Sequence, residues 1–180
     1  MGYTRRNLWA VGVFVMVLCR LALPAVADDK KMVGEKAPSF QGTAIDGKAI
    51  SLDALLSRKQ VVVLSFWGIR CSACIEEMPA LQKIQEDFRN NDVYVLGVNV
   101  DGLDPASLRQ MMGEEKIGPK YALVADPDFK IAEAYKMTAA PLTIVVDRSG
   151  FVRYVHEDYK PGDESGIREA IVRFLPMDGK

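Results

Sequence analysis

Uninterrupted apolar runs mark the centre of this chain. Residues 61–67 form one run and residues 93–100 another, and neither alternates between apolar and polar positions. Such runs predict strands that are buried on both faces, as in a sheet covered by helices. Shorter apolar segments predict further strands at 121–124, 142–146 and 151–155. The last two strands are joined by a turn-forming Asp-Arg-Ser-Gly sequence and indicate a hairpin.

Predicted helices separate these strands. The longest cover about 71–88 and 163–174, and shorter ones are expected at 51–56, from Asp104-Pro105 onward and at 129–135. Before them, Asp46-Gly47 between two short extended segments predicts a β-hairpin. Strands that alternate with helices indicate one α/β domain, with a largely parallel sheet that ends in an antiparallel hairpin.

The N-terminus has the layout of an export signal. Arg5 and Arg6 precede an apolar run over 8–19, and small residues at 25–27 form a cleavage site. We therefore expect residues 1–27 to be a secretory signal peptide, because the apolar run is short for a membrane span. An uncleaved membrane anchor is the alternative. Either way, the protein is expected in the periplasm or on the extracytoplasmic face of the membrane.

The remaining chain is predicted to be a polar leader over 28–36 and a folded domain over 37–176. Its composition, 49% hydrophobic and 26% charged for the whole chain, is that of a globular protein. Three of the 23 basic residues lie in the predicted signal, which leaves 20 against 24 acidic residues and a net charge of −4. This balance argues against nucleic acid and anionic membrane surfaces as partners.

Two cysteines remain after removal of the signal, because Cys19 lies within it. Cys71 and Cys74 are three residues apart, so a bridge between them would constrain the unfolded chain very little. A domain of this size also needs no disulfide for its stability. The pair is therefore better explained by redox chemistry than by a structural role.

The position of the pair favours a reactive thiolate. Cys71 lies where a buried strand passes into a helix, and the free N–H groups and dipole of a helix N-terminus stabilise a negative charge. Arg70 adds a positive charge beside it. We expect Cys71 to attack a substrate disulfide and Cys74, one turn along, to resolve the mixed disulfide.

Three other interpretations of the pair remain open. A structural bridge is one, and half of a zinc site or a copper site with His156 are the others. The metal sites are disfavoured because His156 is the only histidine and the exported domain has no further cysteine. No metal is expected, and His156 is interpreted as a surface residue at a strand end.

Glu77 is the acid that the helical pattern turns inward. A buried face is defined by Met78, Leu81, Ile84 and Phe88, and Glu77 lies roughly 35° from its centre. A carboxyl group buried beside a thiol could relay the proton of Cys74. An exposed position at the rim of the helix is the alternative. Pro79 predicts a kink or an early end of this helix.

Ala140-Pro141 precedes a buried strand, where a proline cannot donate to the sheet. A cis peptide bond there would turn the Ala140 backbone outward, toward an extended substrate. The general frequency of cis bonds before proline is only about 5–6%.

Together these residues resemble a known family. The segment from Trp67 to Cys74, followed by Glu77, Pro79, residues 98–101 and Pro141, resembles the TlpA/ResA-like branch of thioredoxins. The resemblance covers nearly all of 34–175, and residues 34–40 are similar to the opening hairpin that this branch shares with peroxiredoxins. It implies a thioredoxin fold, with a central mixed sheet flanked by helices, an N-terminal β-hairpin and a central βα insertion.

The resemblance also implies a function. It implies a protein-disulfide reductase with the Cys71–Cys74 pair as its redox centre and no other cofactor. Its partners would be protein thiols and disulfides, with apocytochrome c as the best-known substrate class, and a membrane electron donor. Glu77 would be functional and Pro141 cis, against the cysteine pair. Substrate contact is expected from Trp67, Arg70, Ala140 and Pro141.

Some positions depart from the family pattern. Arg70 and Ala73 stand where the family has Trp and often Pro, Leu142 replaces a common Thr, and Ser65 lies where typical thioredoxins carry a buried acid. These positions tune redox potential and substrate choice. A peroxiredoxin-like peroxidase remains an alternative, although no P-x-x-x-T sequence precedes Cys71 at the required spacing. A copper or thiol assembly chaperone without turnover is another.

Overall fold

The computed structural model describes residues 32–58, 60–89 and 93–175, so the predicted signal peptide lies outside it. No helix in these ranges is long and apolar enough to cross a membrane. In chain order, the elements are β1 Gln41–Thr43, β2 Ala49–Ser51, α1 Leu52–Ser57, β3 Val61–Trp67, α2 Ser72–Asp87, β4 Val93–Asn99, α3 Pro105–Glu114, β5 Ala122–Ala125, α4 Lys130–Ala134, β6 Leu142–Val146, β7 Val152–Glu157 and α5 Glu164–Phe174.

Five strands form a mixed central sheet in the order β5-β4-β3-β6-β7. β4 pairs parallel with β3 and β5, whereas β6 pairs antiparallel with β3 and β7. The central mixed sheet that the family resemblance implies is therefore confirmed, whereas the largely parallel sheet that the local patterns alone indicated is not found, since half of the pairings are antiparallel. Between β5 and β6 the structure has only the short helix α4 of five residues. Strand β6 begins at the end of the sheet at which β5 stops.

Both faces of this sheet are covered. Helices α2, α3 and α5 contribute to the core on one face, while α1 and α4 contribute to the core on the other. Alternate residues of β3 point into the two cores, and all seven are buried. This burial on both sides explains why residues 61–67 show no polar alternation.

Helix α2 continues through Pro79 to Asp87, which agrees with the helix predicted over about 71–88, so of the two effects expected of this proline, a kink or an early end, the early end does not occur. Proline removes one backbone hydrogen bond, but the buried side chains of this helix, among them Leu81 and Ile84, anchor both halves in the core. Tertiary packing supplies most of the stability of such a helix and outweighs the lost bond.

The folded domain begins earlier than the sequence indicates. Met32 is buried, and the following residues pair with the hairpin of β6 and β7. The Gly34 amide donates to the Val152 carbonyl at 2.8 Å, and the Val152 amide donates to the Glu35 carbonyl at 2.9 Å. Part of the predicted leader over 28–36 thus belongs to the domain. The polar side chains of this segment gave no sign of the contact, because the backbone makes it.

Gly97 in β4 allows close packing in the core. A Cβ atom there would lie 2.5 Å from Leu123 Cδ2 and 3.1 Å from Trp67 Nε1, both in buried side chains. We expect Gly97→Ala to lower the free energy of unfolding by about 1–3 kcal/mol through overpacking. Urea denaturation monitored by circular dichroism measures this.

The matched control is Gly113→Ala in α3, where an added Cβ meets no atom within 4 Å. Alanine is the better helix former, so this variant is expected to gain about 0.5–1 kcal/mol. A loss of stability in both variants would contradict the packing argument, because it would indicate a cost of the methyl group unrelated to Gly97's surroundings.

Candidate active site

The two cysteines lie at the start of α2 and form a disulfide. Cys71 is the N-cap of this helix, and its Sγ accepts a hydrogen bond from the Cys74 amide at 3.2 Å. The same amide would stabilise a thiolate on Cys71 in the reduced protein. Cys71 is partly exposed, whereas Cys74 is 1% exposed. The sulfur that a partner protein can reach is therefore that of Cys71.

A polar clamp holds the loop that leads to Cys71. Asp101, just beyond β4, accepts a hydrogen bond from the Ile69 amide at 2.8 Å and another from Asn99 Nδ2 at 2.6 Å. The Val100 amide donates to the Trp67 carbonyl at 3.0 Å. These bonds join the ends of β3 and β4, so they fix the direction from which the chain enters the cysteine pair.

Glu77 is fully buried, as the helical pattern predicted. Its Oε1 accepts a hydrogen bond from Thr143 Oγ1 at 2.6 Å, and its Oε2 accepts one from Ser65 Oγ at 3.1 Å. Burial raises the pKa of Glu77, and the two hydroxyl groups oppose that rise. The site thus holds a carboxyl group with a high proton affinity one turn after Cys74.

The bond between Ala140 and Pro141 is cis, as expected. Pro141 is buried, whereas Ala140 is partly exposed and packs against the same core cluster as Cys71. The Ala140 backbone therefore lies on the cysteine side of the sheet, which is where the predicted substrate contact requires it.

Arg70 and Trp67, the two other residues predicted to contact the substrate, differ in their exposure to solvent. Arg70 is exposed next to Cys71, where it can meet a partner. Trp67 is only 1% exposed and belongs to the core, so substrate contact through its side chain is not supported. Its place in the continuous apolar run of β3 already indicated burial. Only the family resemblance suggested that this side chain contacts the substrate.

The partners of Glu77 were missed by the sequence interpretation. Ser65 was noted only because typical thioredoxins carry a buried acid at its position, and Thr143 was not named as a site residue. His156 lies near the end of β7, as expected, but it is only partly at the surface, because its side chain is 23% exposed and its Nε2 lies 3.1 Å from Asp163 Oδ2. Among the described residues, no group of three or more His, Cys or acidic side chains could hold a metal ion.

Comparison with known proteins assigns the chain to a family. The profile of the AhpC/TSA family matches residues 33–155. The chain belongs to the AhpC/TSA family. The thiol–disulfide oxidoreductase ResA from Bacillus thuringiensis (strain Al Hakam) is 30% identical to this chain over 127 residues, which cover 70% of each chain. ResA from Bacillus subtilis is 28% identical over 181 residues, covering 90% of this chain and 98% of that one.

Further similar proteins are also named for thiol–disulfide exchange. The thiol:disulfide interchange protein DsbE homolog of Paracoccus denitrificans is 31% identical over 134 residues, 71% of each chain. A solved Chlorobium tepidum structure, assigned as a DsbE protein, has a TM-score of 0.72 at 23% identity and covers 80% of this chain and 98% of its own. The thioredoxin fold is confirmed, and the protein is a ResA-like thiol–disulfide oxidoreductase.

Proposed function

We propose that this oxidoreductase works outside the cytoplasm and reduces disulfides in partner proteins through the Cys71–Cys74 dithiol. The arrangement of the pair carries the proposal: a partly exposed sulfur at a helix N-terminus, with a buried sulfur and a buried carboxyl group behind it. This asymmetry separates the roles of attacking and resolving cysteine.

The reaction takes two exchange steps. The Cys71 thiolate attacks one sulfur of the substrate disulfide, and the other substrate sulfur leaves as a thiolate. The Cys74 thiol then gives its proton to Glu77 and attacks Cys71 Sγ, which releases the second substrate thiolate. Both leaving thiolates take up protons. Two electrons and two protons thus pass to the substrate, and the Cys71–Cys74 disulfide remains.

For the substrate, we propose proteins of the apocytochrome c type, whose haem-binding C-x-x-C-H sequence carries a disulfide that must be reduced. Similarity to the TlpA/ResA-like branch supports this class. The predicted signal sequence over 1–27 supports an oxidising compartment. A reductant there needs a supply of electrons, so we propose that a membrane electron donor regenerates the dithiol.

The reduction potential of the Cys71–Cys74 couple tests the direction. We expect a value near that of thioredoxin, about −270 mV, measured by equilibration with a dithiol buffer. A value near about −120 mV would mean an oxidant and contradict the proposal. A C-x-x-C-H peptide disulfide is the substrate for the parallel rate assay. Consumption of hydrogen peroxide faster than of this peptide would favour a peroxidase instead.

A further inference from the structure

Phe129 is a bulky residue in a left-handed backbone conformation. It ends the loop between β5 and α4, with a φ of 59° and a ψ of 13°. Residues with a Cβ atom rarely adopt this region, and for an aromatic residue it is strained. Glycine adopts the same conformation without a steric cost. A phenylalanine at this position therefore needs a benefit that its side chain supplies.

The turn at Phe129 is held by backbone and carboxylate contacts. Asp126 is buried, and its side-chain oxygens accept hydrogen bonds from the Ile131 amide at 3.2 Å and the Ala132 amide at 2.8 Å. The Asp126 carbonyl accepts one from the Phe129 amide at 3.2 Å, and the Phe129 carbonyl accepts one from the Glu133 amide at 2.8 Å. These bonds keep residue 129 in the left-handed region independently of the phenyl ring.

The ring is also poorly buried. Phe129 is 45% exposed, and among the described residues it belongs to neither of the cores on the two faces of the sheet. It lies against Gly102 in the loop after β4, where an added Cβ atom would be 3.1 Å from Phe129 Cζ. Hydrophobic stabilisation scales with the apolar area removed from water, so packing within the chain offsets the strain only in part. Strained residues of this kind cluster at functional sites.

Phe129 lies at the same end of the sheet as the cysteine pair. Strands β3, β4 and β5 are parallel, and their last residues, Trp67, Asn99 and Ala125, form one row across the sheet. Neighbouring strands are about 4.8 Å apart, so this row spans roughly 10 Å. Cys71 follows the end of β3 by four residues, and Phe129 follows the end of β5 by four. Both therefore open onto the same edge of the molecule.

Exposed residues connect these two positions. Asp101 and Gly102, which follow β4, are both exposed. Asp101 accepts the hydrogen bond of the Ile69 amide, in the loop before Cys71, and Gly102 lies against the Phe129 ring. A specific protein contact buries about 800 Å² on each partner, which equals a disc of roughly 16 Å radius. A substrate protein centred on Cys71 therefore extends to Phe129.

We propose that Phe129 is a specificity-determining residue, which binds an apolar side chain of the substrate polypeptide close to the substrate disulfide. The inference rests on the proposed function, because it names a second contact of the partner that Cys71 attacks. Aromatic side chains are enriched among the residues that carry most of the binding energy of protein contacts. The left-handed turn holds the ring at the surface, where the substrate buries it.

A pair of peptide disulfides tests the proposal. Both carry a C-x-x-C-H disulfide with about six residues on each side, which reach roughly 20 Å when extended. One has leucines in its flanks and the other has serines at the same positions. With the reduced full chain, we expect the first attack by Cys71 to be about tenfold faster on the leucine peptide. Phe129→Ala should lose this preference and keep the parent's rate on the serine peptide.

Phe151→Ala is the matched control. Phe151 is 37% exposed and follows β6, whose last residue, Val146, pairs with Val62 at the opposite end of the sheet from Cys71. We expect this variant to keep the parent's rates on both peptides. A leucine preference that persists in Phe129→Ala, or is lost equally in Phe151→Ala, would overturn the proposal. So would a dimer of the parent that dissociates in Phe129→Ala, because a second copy of the chain would then cover the ring.

Phe129→Gly separates binding from a structural role. It removes the ring and the strain together, so we expect it to lose the leucine preference and to unfold at a higher urea concentration than the parent. A lower unfolding midpoint with the preference intact would mean that the ring serves the fold, and would overturn the proposal.

The same peptides separate this inference from the proposed function. If the protein proves to be an oxidant, its oxidised form would react with the dithiol forms of the peptides, and the leucine preference would still be present in the parent and lost in Phe129→Ala. If it reduces both peptide disulfides at the same rate, the role of Phe129 is wrong and the reductase function stands.

Discussion

Replacement of Cys71 by serine is expected to reduce the rate of disulfide reduction by at least about a thousandfold. A serine hydroxyl group is not ionised at neutral pH and cannot form the mixed disulfide. The remaining Cys74 is 1% exposed, so a partner disulfide cannot reach its sulfur. Reduction of a peptide disulfide, followed by release of its free thiols, measures the loss.

Cys74→Ser is the matched control, since it also removes the disulfide but keeps the attacking sulfur. We expect this variant to react once and then to stop as a covalent adduct between Cys71 and the peptide, visible by mass spectrometry of the intact protein. An adduct in Cys71→Ser rather than in Cys74→Ser would reverse the assigned roles. Full turnover by Cys71→Ser would remove the pair from the mechanism.

Local sequence features predicted much of the fold. The run over 61–67 indicated a strand buried on both faces, and β3 is such a strand because helices cover the sheet on both sides. Ser51 and Asp104 are the N-caps of α1 and α3, which the sequence predicted to start at these residues, and such starts are predictable because an N-cap depends on contacts within three residues. The inward direction of Glu77 followed from the period of α2 alone.

Features that depend on distant segments could not be predicted in this way. The hydrogen bond between Thr143 and Glu77 joins residues 66 positions apart, and it exists because β6 runs antiparallel beside β3. His156 comes to lie opposite Thr143 through the pairing of β6 with β7. The chemistry of Cys71 and Cys74 was therefore visible in the sequence, whereas the surroundings of Glu77 required the sheet topology.

Replacement of Glu77 by glutamine is expected to slow the resolving step by about a hundredfold, while the first attack by Cys71 keeps its rate. Glutamine has a similar shape and can bond to Ser65 and Thr143, but it cannot accept the proton of Cys74. Rapid mixing of the reduced protein with a peptide disulfide, followed by acid quenching, shows the expected accumulation of the mixed disulfide.

The same variant should change the pH dependence of stability. Burial raises the pKa of Glu77 in the folded protein above its ordinary value, so the folded state binds this proton more tightly than the unfolded chain. The stabilisation from the protonated group is complete below the unfolded pKa and is lost as the pH rises through the folded pKa. Glu77→Gln has no such loss. As the pH rises through this window, the free energy of unfolding of the variant should therefore rise relative to that of the parent. Above the folded pKa, the difference between the two should stay constant.

Glu76→Gln provides the matched control, because Glu76 is the exposed neighbour on the same helix and undergoes the same chemical change. We expect it to leave both the resolving rate and the pH dependence of unfolding as in the parent. Urea denaturation at a series of pH values supplies the stability curves. A resolving rate within about twofold of the parent in Glu77→Gln would exclude Glu77 as the proton acceptor. A stability difference from the parent that does not vary with pH would mean that burial leaves the proton affinity of Glu77 unchanged, and that the polar contacts fully offset the desolvation of its charge.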